Sequence, residues 1–141
     1  MKYWDASALL PVLVTESTSV KVAAWLRADR EIVTWAWTRV EVVSALERRI
    51  RESSHGNVTR RKMLMAAETF AAMWSEVDDL LAVRNRAIPL LGRHPLRAAD
   101  AGQLAAALLV QEQAGVRLEF VCLDLRLCDA AEREGLRVLT V

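Results

Sequence analysis

Cysteine, glycine and proline are scarce in this chain of 141 residues, which contains two Cys, five Gly and three Pro. Two cysteines exclude a disulfide framework, and so few glycines and prolines exclude a collagen-like or low-complexity chain. Every uncharged stretch falls short of the roughly 18 apolar residues that a membrane helix needs. No signal peptide is visible, because Asp5 follows Lys2 before any long apolar run. We therefore expect a cytoplasmic protein.

An excess of charge of one sign is also missing, since 19 Lys and Arg stand against 18 Asp and Glu for a formal net charge of +1. This balance gives no overall signal for nucleic acid or a membrane surface. The sequence has no G-x-x-x-x-G-K-[ST] or G-x-G-x-x-G loop and no G-x-S-x-G elbow. His55 and His94 lie in predicted loops, and Cys122 and Cys128 have no partner pair of histidines, which argues against a zinc site.

What is present is apolar material, 53% of the residues, which is enough for the core of one domain over residues 1–141. Short β-like runs alternate with longer helical patterns, and this alternation predicts an α/β fold with a mostly parallel central sheet flanked by helices. Ser17 or Ser19 is expected to cap the second helix, and Thr38 with Glu41 has the spacing of a capping box. The predicted strands are residues 2–5, 31–36, 118–123 and 136–141. The second predicted helix follows its cap at Ser17 or Ser19 and ends near residue 28, and the other predicted helices are 6–14, 38–50, 59–74, 78–91, 97–115 and 125–134.

Four acidic residues stand at chemically informative places in this pattern. Asp5 ends the first predicted strand and Asp124 directly follows residues 118–123, at the carboxyl ends where parallel sheets bind ligands. Glu41 and Asp100 each lie in the first turn of a predicted helix. Taken singly, each acid also fits a capping role or a favourable interaction with a helix dipole.

A metal site would account for all four acids at once. Carboxylates of like charge do not stay ionised side by side without a counter-ion. Carboxylate and water oxygens are the ligands that Mg²⁺ and Mn²⁺ take. Such an ion lowers the pKa of a bound water and stabilises charge on a phosphoryl oxygen.

Four segments of the chain resemble motifs of the PIN-domain ribonucleases, in particular the VapC-type toxins of type II toxin–antitoxin modules. Residues 3–9 read Tyr-Trp-Asp-Ala-Ser-Ala-Leu and are similar to a strand followed by D-x-S-A-L. Residues 38–41 match T-x-x-E, and residues 96–107 resemble L-R-x-x-D-A-x-H-L-A-A-A. Residues 124–136 resemble the ending D-x-x-L-x-x-A-A…G-L. The likeness extends over nearly the whole chain.

This resemblance implies a PIN-like fold and an endoribonuclease that hydrolyses RNA phosphodiester bonds with a metal-activated water. It implies that Asp5, Glu41, Asp100 and Asp124 form the catalytic, metal-binding cluster for Mg²⁺ or Mn²⁺, with Asp5 and Asp100 nearest the ion. It further implies a cognate antitoxin as partner and a homodimer. Five apolar residues are candidates for the antitoxin surface: Trp35, Trp37, Met63, Met73 and Trp74.

Two positions depart from the family pattern. Gln103 stands where the family often has His, and Cys122 stands where it often has Thr or Ser. Ser7 and Thr38 are candidate hydroxyls for orienting the carboxylates. An inactive PIN-like module that binds RNA or protein is therefore the alternative reading, and a phosphatase or DNA nuclease using the same acids is a third.

Local charge differs from the balanced total. Residues 39–62 hold seven basic and three acidic side chains, and residues 84–97 hold four Arg and no acid. Binding of phosphates needs such local patches and not a high overall charge, although ordinary solvated helix faces explain single blocks equally well. Arg97 is a candidate for contact with an acid or a phosphate, and Asp129 is expected to face solvent.

Overall fold

Seven helices and five strands make up the part of the chain that the computed structural model describes, residues 1–54 and 56–141. His55 lies outside the described residues. The strands are β1 (Lys2–Trp4), β2 (Ile32–Trp35), β3 (Ser75–Val77), β4 (Glu119–Val121) and β5 (Arg137–Leu139). The helices are α1 (Ala6–Leu13), α2 (Ser19–Ala28), α3 (Thr38–Glu52), α4 (Asn57–Ala71), α5 (Leu80–Arg93), α6 (Ala98–Ala114) and α7 (Leu125–Arg133).

The five strands form one sheet in the order β3-β2-β1-β4-β5, and every pair of neighbours is parallel. This confirms the predicted α/β class with a parallel central sheet. The chain builds outward from β1 through β2 to β3 and then crosses to the other side for β4 and β5. The order therefore reverses between β1 and β4, and ligands of open α/β sheets bind at such a reversal.

Side chains of the central strand alternate between two cores, one on each face of the sheet. Tyr3 packs on one face, where its ring stacks on Phe120 with centroids 5.5 Å apart and where α6 lies. Trp4 packs on the other face with residues of α1 and α3. Period-2 alternation in a strand covered on both sides explains why both aromatics are fully buried.

Helix α6 packs tightly on the sheet through its small residues. Its residues 101–108 are all buried, in keeping with a helix that packs against both β2 and α5. A Cβ atom at Gly102 would lie 2.4 Å from the Trp35 ring, so only glycine permits this approach. The Ala-rich run therefore reflects tight packing as well as helix propensity.

The predicted capping residues of two helices were wrong. Thr18 occupies the N-cap of α2, while the Ser19 hydroxyl accepts from the Glu16 N–H and donates to the Pro11 carbonyl. Trp37 occupies the N-cap of α3, so the capping box of Thr38 with Glu41 does not form. Both predicted capping side chains are used in tertiary contacts, which local spacing does not reveal.

The sequence also missed β3, whose Ser-Glu-Val segment is short and lies at the edge of the sheet. Gly115 ends α6 with a φ of 66°, and Gly135 follows α7 with a φ of 91°. Both backbone conformations are left-handed and favour glycine. Within the described residues, no helix is both long and apolar enough to cross a membrane.

Candidate active site

The four predicted acids all lie towards the edge of the sheet where the strands end, which we call the carboxyl edge. Asp5 directly follows β1 and caps α1, and Asp124 caps α7 three residues after β4. Glu41 and Asp100 occupy the first turns of α3 and α6. Each acid thus stands at a helix N-terminus, where backbone N–H groups and the helix dipole favour negative charge.

Asp5 is held by one side of its carboxylate. Its Oδ2 accepts hydrogen bonds from the Ser7 N–H at 2.9 Å and from the Ser7 hydroxyl, as the proposed orienting role of Ser7 requires. The Cys122 thiol donates to the same oxygen at 3.6 Å. Cys122 thus makes a contact of the kind that a hydroxyl would make, with the longer and weaker bond of sulfur. The Ser7 hydroxyl also accepts from the Leu123 N–H, which ties α1 to the end of β4.

Glu41 is positioned by a buried amide. The Nε2 group of Gln103 donates to Glu41 Oε2 and, at 2.8 Å, to the Thr38 hydroxyl. The Tyr3 hydroxyl donates to Gln103 Oε1 at 2.7 Å, which fixes which end of the amide faces Glu41. Burial raises the pKa of Tyr3 well above its usual value, and the charges of Asp5 and Glu41 raise it further. Tyr3 therefore remains a donor.

The polar network continues into the sheet through two threonines. The Thr38 and Thr34 hydroxyls are 2.7 Å apart, and the Thr34 hydroxyl donates to the Trp4 carbonyl at 2.7 Å. Both threonines are fully buried. Among the described residues, the Thr38 hydroxyl forms no hydrogen bond with an acid, and its link to Glu41 runs through the amide of Gln103. Buried networks whose members are all satisfied rigidify their surroundings.

Asp100 and Asp124 are engaged mainly by backbone N–H groups. Asp100 Oδ2 accepts from the Arg97 N–H at 3.3 Å, and Asp124 Oδ1 accepts from the N–H groups of Arg126 and Leu127 at 2.9 and 3.1 Å. The Asp124 N–H in turn donates to Cys122 Sγ at 3.4 Å. The exposed Arg97 side chain pairs with no carboxylate among the described residues.

Three of the carboxylates act on one another electrostatically. Burial raises the pKa of Asp5, and the charge of Asp100 adds to this effect. Burial also raises the pKa of Glu41 to about 7, with further contributions from Asp5 and Asp100, while the hydrogen bond from Gln103 opposes the rise. The charges of Asp5, Glu41 and Asp100 are therefore close enough to interact, and no described cation is paired to any of them. The backbone of Asp124 contacts the Cys122 thiol, which in turn donates to Asp5.

The chemistry of these oxygen donors suits a hard cation. In each of the four acids one carboxylate oxygen accepts protein hydrogen bonds, while the other receives none from any described residue: Asp5 Oδ1, Glu41 Oε1, Asp100 Oδ1 and Asp124 Oδ2. Among the residues that the structure describes, no three His, Cys, Asp or Glu side chains are grouped to hold an ion by themselves. Mg²⁺ keeps several waters and binds through one or two carboxylates, so this arrangement fits a largely hydrated ion.

Sequence reasoning did not predict the roles of Tyr3 and Thr34. A signal existed for Tyr3, because it lies two residues before Asp5 and side chains two apart share a face of a strand. No comparable signal marks Thr34, whose partners come from β1 and α3.

Other predictions met mixed outcomes. Trp74 is only 8% exposed, Trp35 is half-buried against Gly102, and Met63 is half-buried, so these three are poor surface candidates. Trp37 and Met73 are exposed by 54% and 68%. Asp129 faces solvent and pairs with Arg133, as expected, and His94 is buried next to Glu134.

Comparison with known proteins gives matches in structure alone. No protein-family model matches the chain, and no curated protein matches its sequence. A toxin–antitoxin complex from Klebsiella pneumoniae is similar with a TM-score of 0.69 and 17% identity, covering 99% of this chain and 97% of that chain. PAE2754 from Pyrobaculum aerophilum gives a TM-score of 0.63 and 20% identity over 98% and 89% of the two chains. FitAcB from Neisseria gonorrhoeae gives a TM-score of 0.61 and 16% identity, covering 99% of this chain and 96% of that chain.

These likenesses extend over nearly the full length of both chains in each pair, so the whole fold is shared and not one motif. Together with the all-parallel order of the five strands, they confirm the PIN-like fold that the sequence motifs imply. At this level of identity they show the fold alone, because one fold serves many functions.

Proposed function

We propose that this protein is a metal-dependent endoribonuclease that acts as the toxin of a type II toxin–antitoxin module. The observation that carries the proposal is that Asp5, Glu41 and Asp100 all lie at the carboxyl edge, near enough for the charge of Asp100 to act on the other two, and that none of the three forms an ion pair with a described residue. Packing does not account for this group, since bringing like charges together in a half-buried place costs free energy. The order of the sequence motifs and the PIN-like fold support the same assignment.

Asp5, Glu41 and Asp100, with Asp124 beside them, would hold Mg²⁺ or Mn²⁺. When bound, the ion supplies a lowered pKa for an attacking water and neutralises charge on the phosphoryl oxygens. Ser7 and Gln103 each hold one oxygen of a carboxylate and leave the other oxygen free. This orientation is supplied before any substrate arrives, because the supporting side chains are themselves fixed by packing and hydrogen bonds.

Glu41 is suited to handle a proton. Its pKa of about 7 lets Glu41 Oε1 gain or lose a proton near neutral pH, the range in which a general acid or base works best. Gln103 keeps this carboxylate pointed at the other acids whichever state it is in. This pKa holds for the metal-free chain, and a dication coordinated by Glu41 would lower it, so Glu41 would act on a proton only where it is not itself a ligand of the ion.

The decisive experiment is cleavage of single-stranded RNA with Mg²⁺ or Mn²⁺ by the wild-type chain and by Asp5→Asn and Asp100→Asn. Asp129→Asn is the matched control, because Asp129 is an exposed acid on α7 paired with Arg133. We expect both site variants to lose at least about a hundredfold in rate and the control to keep full activity. Wild-type protein that cleaves no RNA tested, or site variants that remain fully active, would refute the proposal.

The substrate class is tested in parallel with DNA of the same sequence and with a phosphomonoester. Faster turnover of either would favour the DNA nuclease or phosphatase reading. RNA binding without cleavage in any divalent metal would favour an inactive PIN-like module.

A cognate antitoxin is the partner that the proposal requires. One similar structure is itself a toxin–antitoxin complex. Trp37 and Met73 are the two predicted surface residues that remain largely exposed. Co-purification of this chain from its native host with a small neighbouring gene product would support the pairing, and recovery of the chain alone would count against it. Light scattering of the purified chain tests the proposed homodimer.

A further inference from the structure

One flank of helix α3 joins the acidic group to a basic wall. Glu41, Ala45, Arg48 and Arg49 succeed one another along this flank, at spacings that place them on one side of a helix. All four line a surface cleft of about 460 Å³. Ser7, which binds Asp5, also lines this cleft, so it opens directly from the candidate active site.

The arginines of the basic block differ in how their charge is compensated. Arg39 pairs with Glu68 and Arg60 pairs with Glu47, so neither is available to a ligand without breaking an ion pair. Arg49 pairs with Glu16, another residue that lines the cleft. Arg48 is exposed and forms no ion pair with any described residue. Ion pairs therefore compensate three of the basic residues between 39 and 62, and Arg48 is left as the uncompensated arginine that lines the cleft among the described residues.

We propose that this cleft binds the backbone of the RNA strand next to the scissile phosphate, with Arg48 as the phosphate-binding residue. The inference rests on the proposed function and adds a substrate subsite to it. Arg48 lies seven residues beyond Glu41, about 10 Å along the helix axis, or about three steps of a stacked strand. The cleft has the volume of a pocket for one small molecule, which is enough for part of a single strand.

Arg49 is a second candidate for phosphate binding, and Glu16 competes for its guanidinium in the free protein. The Arg49–Glu16 pair is partly exposed, so water weakens it, and an arriving phosphate offers the guanidinium charge-assisted hydrogen bonds of the same kind as the carboxylate does. Removing the charge of Glu16 should therefore strengthen RNA binding. This direction is opposite to the effect expected from loss of Arg48.

The test measures binding of a fluorescent single-stranded RNA to the full chain in EDTA, where the strand stays intact. One phosphate contact contributes a factor of about eight to affinity at 50 mM salt and about three at 200 mM, from a slope of about 0.7 per contact. Arg48→Ala should weaken binding by these factors and lower the salt slope by about 0.7. Arg48→Lys should keep most of the affinity, and Glu16→Gln should raise it about two- to threefold.

Arg51→Ala is the matched control, because Arg51 is an exposed arginine on the same helix that does not line the cleft. It should change affinity less than twofold. Equal losses in Arg48→Ala and Arg51→Ala, or no loss in Arg48→Ala, would overturn the subsite.

Kinetics separates this inference from the proposed function. A wild-type chain that cleaves RNA while Arg48→Ala keeps the same KM leaves the nuclease standing and removes the subsite. A raised KM with little change in kcat supports the subsite, since Arg48 lies away from the acids. A wild-type chain that neither binds nor cleaves RNA refutes both. An unchanged RNA affinity in Arg48→Ala together with lost antitoxin binding would assign the cleft to a protein partner and overturn the RNA subsite.

Discussion

Charged side chains are balanced differently at the two ends of the strands, the amino edge and the carboxyl edge of the sheet. At the amino ends of the strands, Lys2 is 8% exposed and lies 3.2 Å from Asp29 and 3.5 Å from Glu119. A positive charge there is balanced by acids within the protein. At the carboxyl edge, burial raises the pKa of Asp5 and of Glu41, the charge of Asp100 adds to both rises, and none of these three acids forms an ion pair with a described residue.

This difference indicates which edge is built for stability and which for binding. A charge that is balanced inside the protein stabilises the fold and needs no counter-ion from solution. A group of acids supported by buried hydrogen bonds but lacking a counter-ion is stable only because the rest of the fold stabilises it. The carboxyl edge is therefore the one expected to respond to cations, to pH and to substitution of its supporting residues.

The largest expected effect follows from removing the amide that supports Glu41. Gln103→Ala removes the acceptor of the Tyr3 hydroxyl and leaves a buried cavity. It should lower the free energy of unfolding by about 3 kcal/mol. Tyr3→Phe deletes one hydrogen bond and should cost about 1 kcal/mol. Urea denaturation measures both. Equal costs for the two variants would show that the network does not depend on Gln103.

The next effect is a pH dependence peculiar to the carboxyl edge. The pKa of Glu41 is raised from 4.5 to about 7, so the folded chain holds this proton more tightly than the unfolded chain. Its contribution is complete below pH about 4.5 and is lost as the pH rises through about 7. After allowance for the half-buried position, the loss is about 2 kcal/mol. Denaturation of metal-free protein across this range should show the slope.

Glu41→Gln is the control for this slope, because glutamine keeps the shape of the side chain and does not titrate. The variant should be less sensitive to pH between about 4.5 and 7. A slope identical to wild type would show that other groups produce it.

Divalent cations should have a somewhat smaller effect on stability. Mg²⁺ at ten times its Kd should raise the free energy of unfolding by about 1.4 kcal/mol, because it binds the folded chain alone. Asp100→Asn should abolish most of this gain. Calorimetry with and without Mg²⁺ measures the shift. An equal response in wild type and Asp100→Asn would place any bound ion elsewhere.

The smallest effect is expected at the amino edge. Lys2→Met keeps the apolar stem and loses two ion pairs to Asp29 and Glu119, whose carboxylates stay partly hydrated. The free energy of unfolding should fall by about 1 kcal/mol, and RNA cleavage should remain at the wild-type rate. A large loss of cleavage in this variant would contradict the division of roles between the two edges.

Much of the fold could be predicted from the sequence because its signals are local. The apolar runs before Asp5 and Asp124 mark buried parallel strands, and the Ala-rich run before Gly115 marks a long helix. The strand β3 was not predicted, because three residues of a mostly polar edge strand are too few to show the alternation of apolar and polar side chains. The cap of α3 was mispredicted because the Thr38 hydroxyl is used by Gln103, a residue 65 positions away in the chain.

The sequence by itself determined the α/β class and placed four acids after strands or at the starts of helices, because strand ends and first turns follow from local pattern. Only the tertiary structure decided that the charges of Asp5, Glu41 and Asp100 interact, that Gln103, held by Tyr3, orients Glu41, and that Arg48 shares a cleft with Glu41. These arrangements depend on strand order and helix packing. Both join residues far apart in the chain, and no local pattern encodes which of them will be neighbours.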